Sequence, residues 1–419
     1  MSASLTTLEA ALKESYTGII QSQLNNACAL LAQFGEAEAT LDASGKYAVV
    51  PFKLGRNSGV GAAGAGAALP TAGNQELEKL IINYRFVYGR FGFDGPSLAA
   101  MKKGNGAFGS VSEIEMDGLV DDVKKYQNIC TFVGGPVIGL VWQKFPVIGG
   151  AGSADTFQYS GRSSAQGVPV GGANQIQLVR ADTFAAVGAA TGITAVTSTT
   201  LDLAADIFTG VGGAAVPDGV PMYVVHNSPA LAVEPNGLLG VMGLADYYGI
   251  SRVNETIIHA FDRTASAGNT DAALTLDDMD ELMDSTGEAA GEEITQFWFH
   301  RRQRQSYTSI LQGTNNANLY VDVKDAKAKA DAGFEVKSSA LAYNGVPIMI
   351  DVDCPYGTIF GINHKKWKRV TLREGGFDED SGSILKPTPN QDGVEGFWKA
   401  YYQVFCQKPN GAGFVTGLK

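Results

Sequence analysis

Cysteine is scarce in this sequence, and no segment has the pattern of a secretion signal or of a membrane span. Residues Met1–Gly18 lack a basic region followed by an apolar one, so we expect no signal peptide. The most apolar run, 134–150, is interrupted by Gln143 and Lys144 and falls short of the ~18–20 residues that a membrane span needs. No Cys-x-x-Cys pair occurs, and no cysteine has a histidine at zinc-ligand spacing. These absences predict reduced, buried thiols in a cytosolic protein, at Cys28, Cys130, Cys354 and Cys406.

Motifs that carry catalysis or cofactor binding are also missing. The sequence contains no G-x-S-x-G, no G-x-x-x-x-G-K-[ST] and no H-E-x-x-H. Gly104, Gly106 and Gly109 imitate the spacing of a dinucleotide-binding loop, but the βαβ context of such a loop is lacking. We therefore predict no enzyme, no cofactor and no metal, with a β-rich hydrolase as an alternative from a different class. The histidines are interpreted as structural or surface residues: His226, His259, His300 and His364.

Acidic residues cluster in two segments that lack the spacing of a calcium loop. The first is Asp277-Asp278 with Asp280, Glu281 and Asp284, and the second is 378–382. The glycine and the distal glutamate of an EF-hand loop are absent from both. We interpret the first segment as a solvated helix face and the second as an exposed loop.

An excess of positive charge is missing as well. The chain has 32 lysines and arginines against 43 acidic residues, a formal net charge of −11. This balance argues against a protein whose main task is to grip nucleic acid. Two basic clusters stand out, 301–304 and 364–369, and we interpret them first as contacts with acidic surfaces of neighbouring subunits. A plain solvated face and stacking of a nucleic-acid base on Trp367 are the alternatives.

Glycine, by contrast, is abundant, with 52 residues, and much of it lies in one tract. The tract Gly55–Gly73 consists mainly of Gly and Ala and cannot build a core of its own. The runs Lys46–Leu54 and Leu77–Tyr88 on either side are rich in Val, Ile, Tyr and Phe and predict two paired strands. A two-stranded ribbon is marginal alone in water, so we expect this arm to lie on another copy of the protein.

The remaining pattern predicts an α+β protein with more strands than helices. Leu5–Phe34 is predicted as a helix, and Ser110–Val133 as a longer one that Ser110 and Glu113 begin with a capping box. Short strands with tight turns are expected over 137–225, in the manner of a small inserted barrel. Later elements include a strand break at Phe91–Pro96, an acidic helix at Leu276–Met283 with Thr275 as its cap, a strand at Ile294–Phe299, a helix at Arg301–Leu311, and strands at Gly345–Ile350, Gly357–Gly361, Gly396–Cys406 and Gly413–Leu418.

This order of elements resembles the HK97-like major capsid proteins of tailed bacteriophages. The sequence is most similar to this family in the segments 341–351 and 355–363. They comprise a strand with Gly-x-Pro, a turn and a second strand. The resemblance implies an α+β HK97-like capsid fold with an N-terminal arm, an extended β-hairpin called the E-loop, a peripheral domain with a long spine helix, and an axial domain. The implied bounds are 1–45 for the arm, 46–105 for the E-loop, 106–170 and 385–419 for the peripheral domain with the spine helix at 110–133, 171–230 for a β-rich insertion, and 231–384 for the axial domain.

The resemblance implies a structural subunit that self-assembles as pentamers and hexamers into an icosahedral shell around double-stranded phage DNA. It implies scaffolding, portal and decoration proteins as partners, DNA only by non-specific proximity, no membrane, assembly in the host cytoplasm and a final place in the virion. Some relatives cross-link a lysine of the E-loop, and Lys53 lies in such a place, but we assign no catalytic residue. The candidate inter-subunit contacts are Lys53, Arg56, Arg85, Arg90, Arg301, Arg302, Lys365 and Lys366.

Two other assemblies fit the same pattern. An encapsulin-like shell shares the fold and encloses protein cargo instead of DNA. A surface or tail protein would build a rod or a sheet.

Overall fold

The computed structural model shows a mixed α+β fold, as predicted. The predicted helix Leu5–Phe34 is described only at its C-terminal end, and the rest of it lies outside the described residues. Those residues are 29–37, 40–41, 46–94, 107–144, 156–163, 168, 170–197, 199–204, 220–228, 232–265, 272–313, 341–379, 383–387 and 392–419.

The longest helix starts before its predicted cap. It begins at Ala107, so Ser110 lies inside the helix, and the prediction that Ser110 is its N-cap is wrong. At ~1.5 Å per residue, its 26 residues form a rod about 39 Å long. The α-helices within the described residues are α1 Ala29–Gln33, α2 Ala107–Phe132, α3 Leu238–Met242, α4 Leu276–Ala290 and α5 Arg301–Gly313.

Strands make up most of the remaining structure, and the predicted strands of the C-terminal half are confirmed to within a few residues. The described strands are β1 Gly35–Glu36, β2 Thr40–Leu41, β3 Tyr47–Gly55, β4 Glu76–Asn83, β5 Arg85–Asp94, β6 Val137–Lys144, β7 Thr156–Gly161, β8 Gly171–Arg180, β9 Ala186–Val196, β10 Thr200–Leu203, β11 Met222–His226, β12 Asp246–Tyr247, β13 Ile250–Ser251, β14 Phe261–Thr264, β15 Gln296–His300, β16 Ala342–Tyr343, β17 Val346–Asp351, β18 Ile359–Ile362, β19 Trp367–Phe377, β20 Leu385–Pro387, β21 Gly393–Cys406 and β22 Gly413–Thr416.

The predicted strand Leu77–Tyr88 is two strands, divided at Tyr84. β4 pairs with β3 in the hairpin, whereas β5 pairs with β21 over its whole length, from Arg85 opposite Tyr402 to Asp94 opposite Gly393. The strand break predicted at Phe91–Pro96 is therefore too early, because the hydrogen bonds to β21 hold the glycine-rich end of β5 in strand conformation.

The long helix and a five-stranded sheet form the main core. The sheet has the order β1-β19-β21-β20, and β5 also pairs with β21. Val87 and Trp398 of the sheet are buried in one cluster with Val120 of α2. The approach is close at Gly89, where an added Cβ would lie 3.0 Å from Val123 Cγ2. A larger residue at this position would push the helix away from the sheet.

Six strands close into a small barrel in the order β10-β7-β6-β11-β8-β9, with β9 pairing back to β10. Ile138, Phe157 and Leu178 belong to its interior, a buried cluster separate from the main core. The predicted small barrel is confirmed, but it is larger than the predicted insertion 171–230. β6 and β7 precede residue 171, in the range 106–170 assigned to the peripheral domain, and the barrel cannot close without them.

A six-stranded mixed sheet has the order β14-β22-β18-β15-β17-β16. Helices α4 and α5 cover one face, where Leu282 and Tyr307 are buried in one cluster with Phe299. On the other face, the rings of Trp298 and Phe360 lie 5.8 and 6.2 Å from the ring of Phe132. Since Phe132 ends α2, the long helix connects the five-stranded sheet to the six-stranded one.

Two strands pair in a different sheet from the one that their predicted domain ranges imply. β19, inside the predicted axial range 231–384, pairs with β21 in the five-stranded sheet. β22, inside the predicted peripheral range 385–419, pairs with β14 and β18 in the six-stranded sheet. The pairing of these strands therefore crosses the predicted division after residue 384, which stays a prediction, because pairing between distant segments is not written in local sequence.

Candidate inter-subunit surfaces

The hairpin of β3 and β4 has a buried base. Val50 and Leu80 are cross-strand partners there, and both are buried. The Ile81 N–H donates to the carbonyl oxygen of Tyr248 at 2.9 Å, which ties the hairpin to the segment that follows β12. The predicted pairing of the two flanking runs is thus confirmed, with an anchor within the same chain that the sequence did not indicate.

The far end of the hairpin exposes large apolar side chains. Val60 is 86% exposed, Leu69 83% and Leu77 68%. The two sides of the connection 56–75 run close together, since an added Cβ at Gly59 would lie 2.7 Å from the backbone nitrogen of Gly73. Three large apolar side chains exposed on one extended arm make this end a candidate contact. We call Val60, Leu69 and Leu77 the hairpin-end set.

The candidate basic residues near the hairpin have different environments. Lys53 and Arg56 are exposed, as a contact with another subunit requires. Arg90 is held within the chain, where it forms an ion pair with Glu395 and lies 5.8 Å over the ring of Phe397. Arg85 is only partly exposed. Lys53, Arg56 and Arg90 are thus the exposed members of these four candidates, and Arg90 already has an ionic partner within the chain.

The outer face of the five-stranded sheet presents aromatic rings. Phe86 is 51% exposed and Tyr88 59%, on the side of β5 opposite the buried Val87. Tyr401 of β21 lies between them, with ring centroids 5.0 Å from Phe86 and 5.9 Å from Tyr88. The sequence-based predictions did not include this surface, although Phe86 and Tyr88 alternate with Val87 and Gly89 along β5. It is a second candidate contact.

At the edge of this sheet, three basic side chains surround one buried carboxylate. Asp378 is buried and accepts hydrogen bonds from Lys386 at 2.7 Å and Lys399 at 2.6 Å, with Arg373 at 3.7 Å. The interpretation of 378–382 as an exposed loop is wrong for Asp378. Its function is structural, because it neutralises cations that three different strands bring together.

The first turn of α5 carries the basic cluster at 301–304. Arg301, Arg302 and Arg304 are exposed, and we call these three the basic turn. Arg302 lies 5.2 Å over the ring of Tyr356. Burial, followed by the charges of Arg302 and Arg301, lowers the pKa of His300 beneath them. This part of the surface is therefore positively charged at neutral pH.

Helix α4 carries an acidic face, as predicted, with one exception. Asp278 is buried and completes a capping box with Thr275, which confirms Thr275 as the cap. Arg263 forms ion pairs with Asp278 and Glu281. The exposed members of the face lie at helical spacing along one side of α4, and we call them the acidic stripe: Asp277, Asp280, Glu281, Asp284 and Glu288.

The second basic cluster, 364–369, is largely satisfied within the chain. Lys366 lies 3.0 Å from Glu292, whereas Lys365 is exposed. Burial alone would raise the pKa of Glu292, but hydrogen bonds from Lys408 and Lys366 lower it below its usual value. Trp367 is fully buried, with its ring stacked 5.6 Å from Phe34. The alternative that Trp367 stacks on a base is therefore wrong.

The described part of the chain holds no metal-binding cluster, and its cysteines are buried. No group of three or more His, Cys, Asp and Glu side chains there is placed to hold a metal ion. Cys130, Cys354 and Cys406 are buried free thiols, as predicted, and Cys28 lies outside the described residues. Burial raises the pKa of Cys406 to about 12, which makes it inert as a nucleophile. No described helix is long and apolar enough to cross a membrane.

The whole fold has counterparts among solved structures. A chain of the cyanophage A-1(L) capsid asymmetric unit matches with a TM-score of 0.52 and 10% identity, over 92% of this chain and 90% of that one. The chain has the HK97-like capsid fold. No protein-family model matches the sequence, and no curated protein matches it.

Two further structures resemble this capsid fold less closely. The capsid of a native GTA particle matches at a TM-score of 0.46 and 10% identity, over 94% of this chain and 91% of that chain. The SrpI encapsulin of Synechococcus elongatus PCC 7942 matches only 44% of this chain and 57% of its own, at a TM-score of 0.28 and 12% identity. The fold assignment therefore rests on the cyanophage capsid.

Proposed function

We propose that this chain is the structural subunit of a phage capsid. In this proposal it self-assembles as pentamers and hexamers into an icosahedral shell that encloses double-stranded DNA. The observation that carries the proposal is the match to a capsid chain over nearly the full length of both chains. Assembly would take place in the host cytoplasm, and the protein would end in the virion. Scaffolding, portal and decoration proteins are the further partners that such a shell uses.

The hairpin of β3 and β4 would be the E-loop of this capsid subunit. Its base is anchored on Tyr248 of its own chain, whereas its far end exposes the hairpin-end set. An arm of this construction can bury its far end only on another molecule. Lys53 and Arg56 lie on the same arm and are exposed, so they would meet the neighbouring subunit together with the apolar side chains.

Helix α2 would be the spine helix. It is the longest described helix, and it packs under the five-stranded sheet and ends against the aromatic rings of the six-stranded sheet. A rigid rod between two sheets keeps them at a constant distance when the subunit meets neighbours at different angles. The two sheets would then be the centres of the peripheral and axial domains.

Charge supports a shell that encloses DNA without binding it tightly. The formal net charge is −11, so contact with packaged DNA would be non-specific. Neither a cofactor nor an enzymatic activity is part of the proposal.

Purification of the expressed full chain, followed by sedimentation and analysis of particle content, tests the proposal. We expect fast-sedimenting closed particles, alone or with a co-expressed scaffolding protein. Particles from infected cells should contain nuclease-protected DNA. Particles that enclose a specific protein would instead support the encapsulin-like alternative, and a chain that stays monomeric under all these conditions would refute both.

A further inference from the structure

Helices α4 and α5 cover the same face of the six-stranded sheet and carry opposite charges. Both contribute to the buried cluster above that face, through Leu282 and Tyr307. Away from the sheet, α4 presents the acidic stripe and α5 presents the basic turn. Among the described residues, Arg301, Arg302 and Arg304 form no ion pair, and neither do Asp284 and Glu288. The two charged surfaces are thus not neutralised by each other within one chain.

The basic turn and Glu288 of the acidic stripe occupy unfavourable positions in an isolated subunit. The basic turn lies at the N-terminus of α5, where the helix dipole disfavours positive charge. Glu288 lies in the last turn of α4, where the dipole disfavours negative charge. Lys408 and Asn410 hydrogen-bond the last carbonyl groups of α4, but they leave the Glu288 carboxylate in solvent. A partner that brings the opposite charge would remove both penalties at once.

We propose that the acidic stripe of α4 in one subunit contacts the basic turn of α5 in the next subunit around a ring. The inference rests on the proposed function, because it takes the partner to be a second copy of this chain. The end of α4 with its acidic side chains and the start of α5 with its arginines are complementary in both charge and helix dipole. Around a ring the contact is head-to-tail, with the acidic stripe of each copy on the basic turn of the next, and such contacts form a ring when the rotation between copies closes.

Charge-reversal variants of the full chain test this contact under the conditions in which wild-type shells form. R301E/R302E places like charges in the interface, and so does D284K/E288K. We expect each variant to lower the yield of shells about tenfold or more, since like charges that face each other strongly disfavour association. The unassembled R301E/R302E subunit should melt at the same temperature as wild type or higher, because the helix dipole no longer opposes the side chains. K125E, an exposed reversal on α2, is the control and should assemble normally.

Combining the variants gives the decisive result. The quadruple variant R301E/R302E/D284K/E288K restores opposite charges in every contact and should form closed shells again. An equimolar mixture of the two double variants can satisfy the contact only when they alternate. Alternation closes a ring with an even number of subunits but not a pentamer, so the mixture should give hexamers without closed shells.

The results separate this inference from the proposed function. If wild type forms no shell with or without a scaffolding protein, the proposed function fails. If wild type forms shells and R301E/R302E forms them equally well, the capsid function stands and the head-to-tail contact is refuted. Normal shells of R301E/R302E that hold less DNA would show that the basic turn faces nucleic acid, which also overturns the contact. Failure of the quadruple variant to recover shells, with its melting temperature intact, overturns it as well.

Discussion

Replacing the hairpin-end set by serine should impair assembly while leaving the subunit folded. In V60S/L69S/L77S the three side chains are 86%, 83% and 68% exposed in the single chain, so little native packing is lost. Exposed substitutions of this kind usually change the free energy of unfolding by less than about 0.5 kcal/mol. The melting temperature of the unassembled subunit should therefore stay near that of wild type.

The effect on assembly follows from the area that a neighbour would cover. Full burial of a Val or Leu side chain contributes about 1.5–3 kcal/mol, and a neighbour that covers half of each would contribute about 1 kcal/mol per side chain. Three side chains then give about 3 kcal/mol per arm, which corresponds to a change of about 100-fold in association. The subunit concentration at which shells first form, measured by light scattering, should rise by that factor.

A second variant in the same strand provides the contrast. Leu80 is fully buried at the base of the hairpin, so L80A should lower the free energy of unfolding by about 2–5 kcal/mol. If V60S/L69S/L77S assembles at the wild-type concentration, the far end of the hairpin does not contact a neighbour, and its assignment as the E-loop is wrong.

Three further predictions concern the fold. D378N leaves Lys386, Lys399 and Arg373 around a neutral side chain, so the free energy of unfolding, measured with urea, should fall by about 2–4 kcal/mol; an unchanged value would contradict the structural function of this carboxylate. Burial, with a smaller effect from Asp182, raises the pKa of Asp262 from 3.8 to about 7. Between pH ~4 and ~7 the folded state then keeps a proton that the unfolded state releases, so stability falls as pH rises. D262N should match wild type in melting temperature at pH ~4 and exceed it at pH ~8, and parallel curves would refute the burial of this carboxyl. W367A removes a fully buried ring and should cost about 3–5 kcal/mol of stability without changing DNA binding; a loss of DNA binding in a stable W367A subunit would contradict its burial.

Local patterns predict much of this fold because they depend on neighbouring residues. Thr275 is the cap of α4, as predicted, and Asp278, three residues further on, completes a capping box with it. The runs on either side of Gly55–Gly73 pair because both are rich in strand-forming residues and are close in sequence. The barrel also follows from the short strands and tight turns predicted over 137–225, although its first two strands precede the insertion bounds 171–230.

Features that depend on distant residues are missed for a physical reason. Asp378 looks like part of a solvated loop until β20 and β21 bring Lys386 and Lys399 to it. Trp367 looks accessible among lysines until Phe34, far away in sequence, stacks on it. The pairing of β19 with β21, and of β22 with β14 and β18, also joins segments that are far apart in sequence. A recognisable signal was available only for Phe86 and Tyr88, whose alternation with Val87 and Gly89 places aromatic rings on the outer face of β5.

A cryo-electron microscopy reconstruction of the purified, assembled protein tests the central claim most directly. We predict closed icosahedral particles built from pentamers and hexamers of this chain, with the far end of each β3–β4 hairpin in contact with a neighbouring subunit. A chain that forms only monomers, or rods and sheets without closure, would contradict the capsid function.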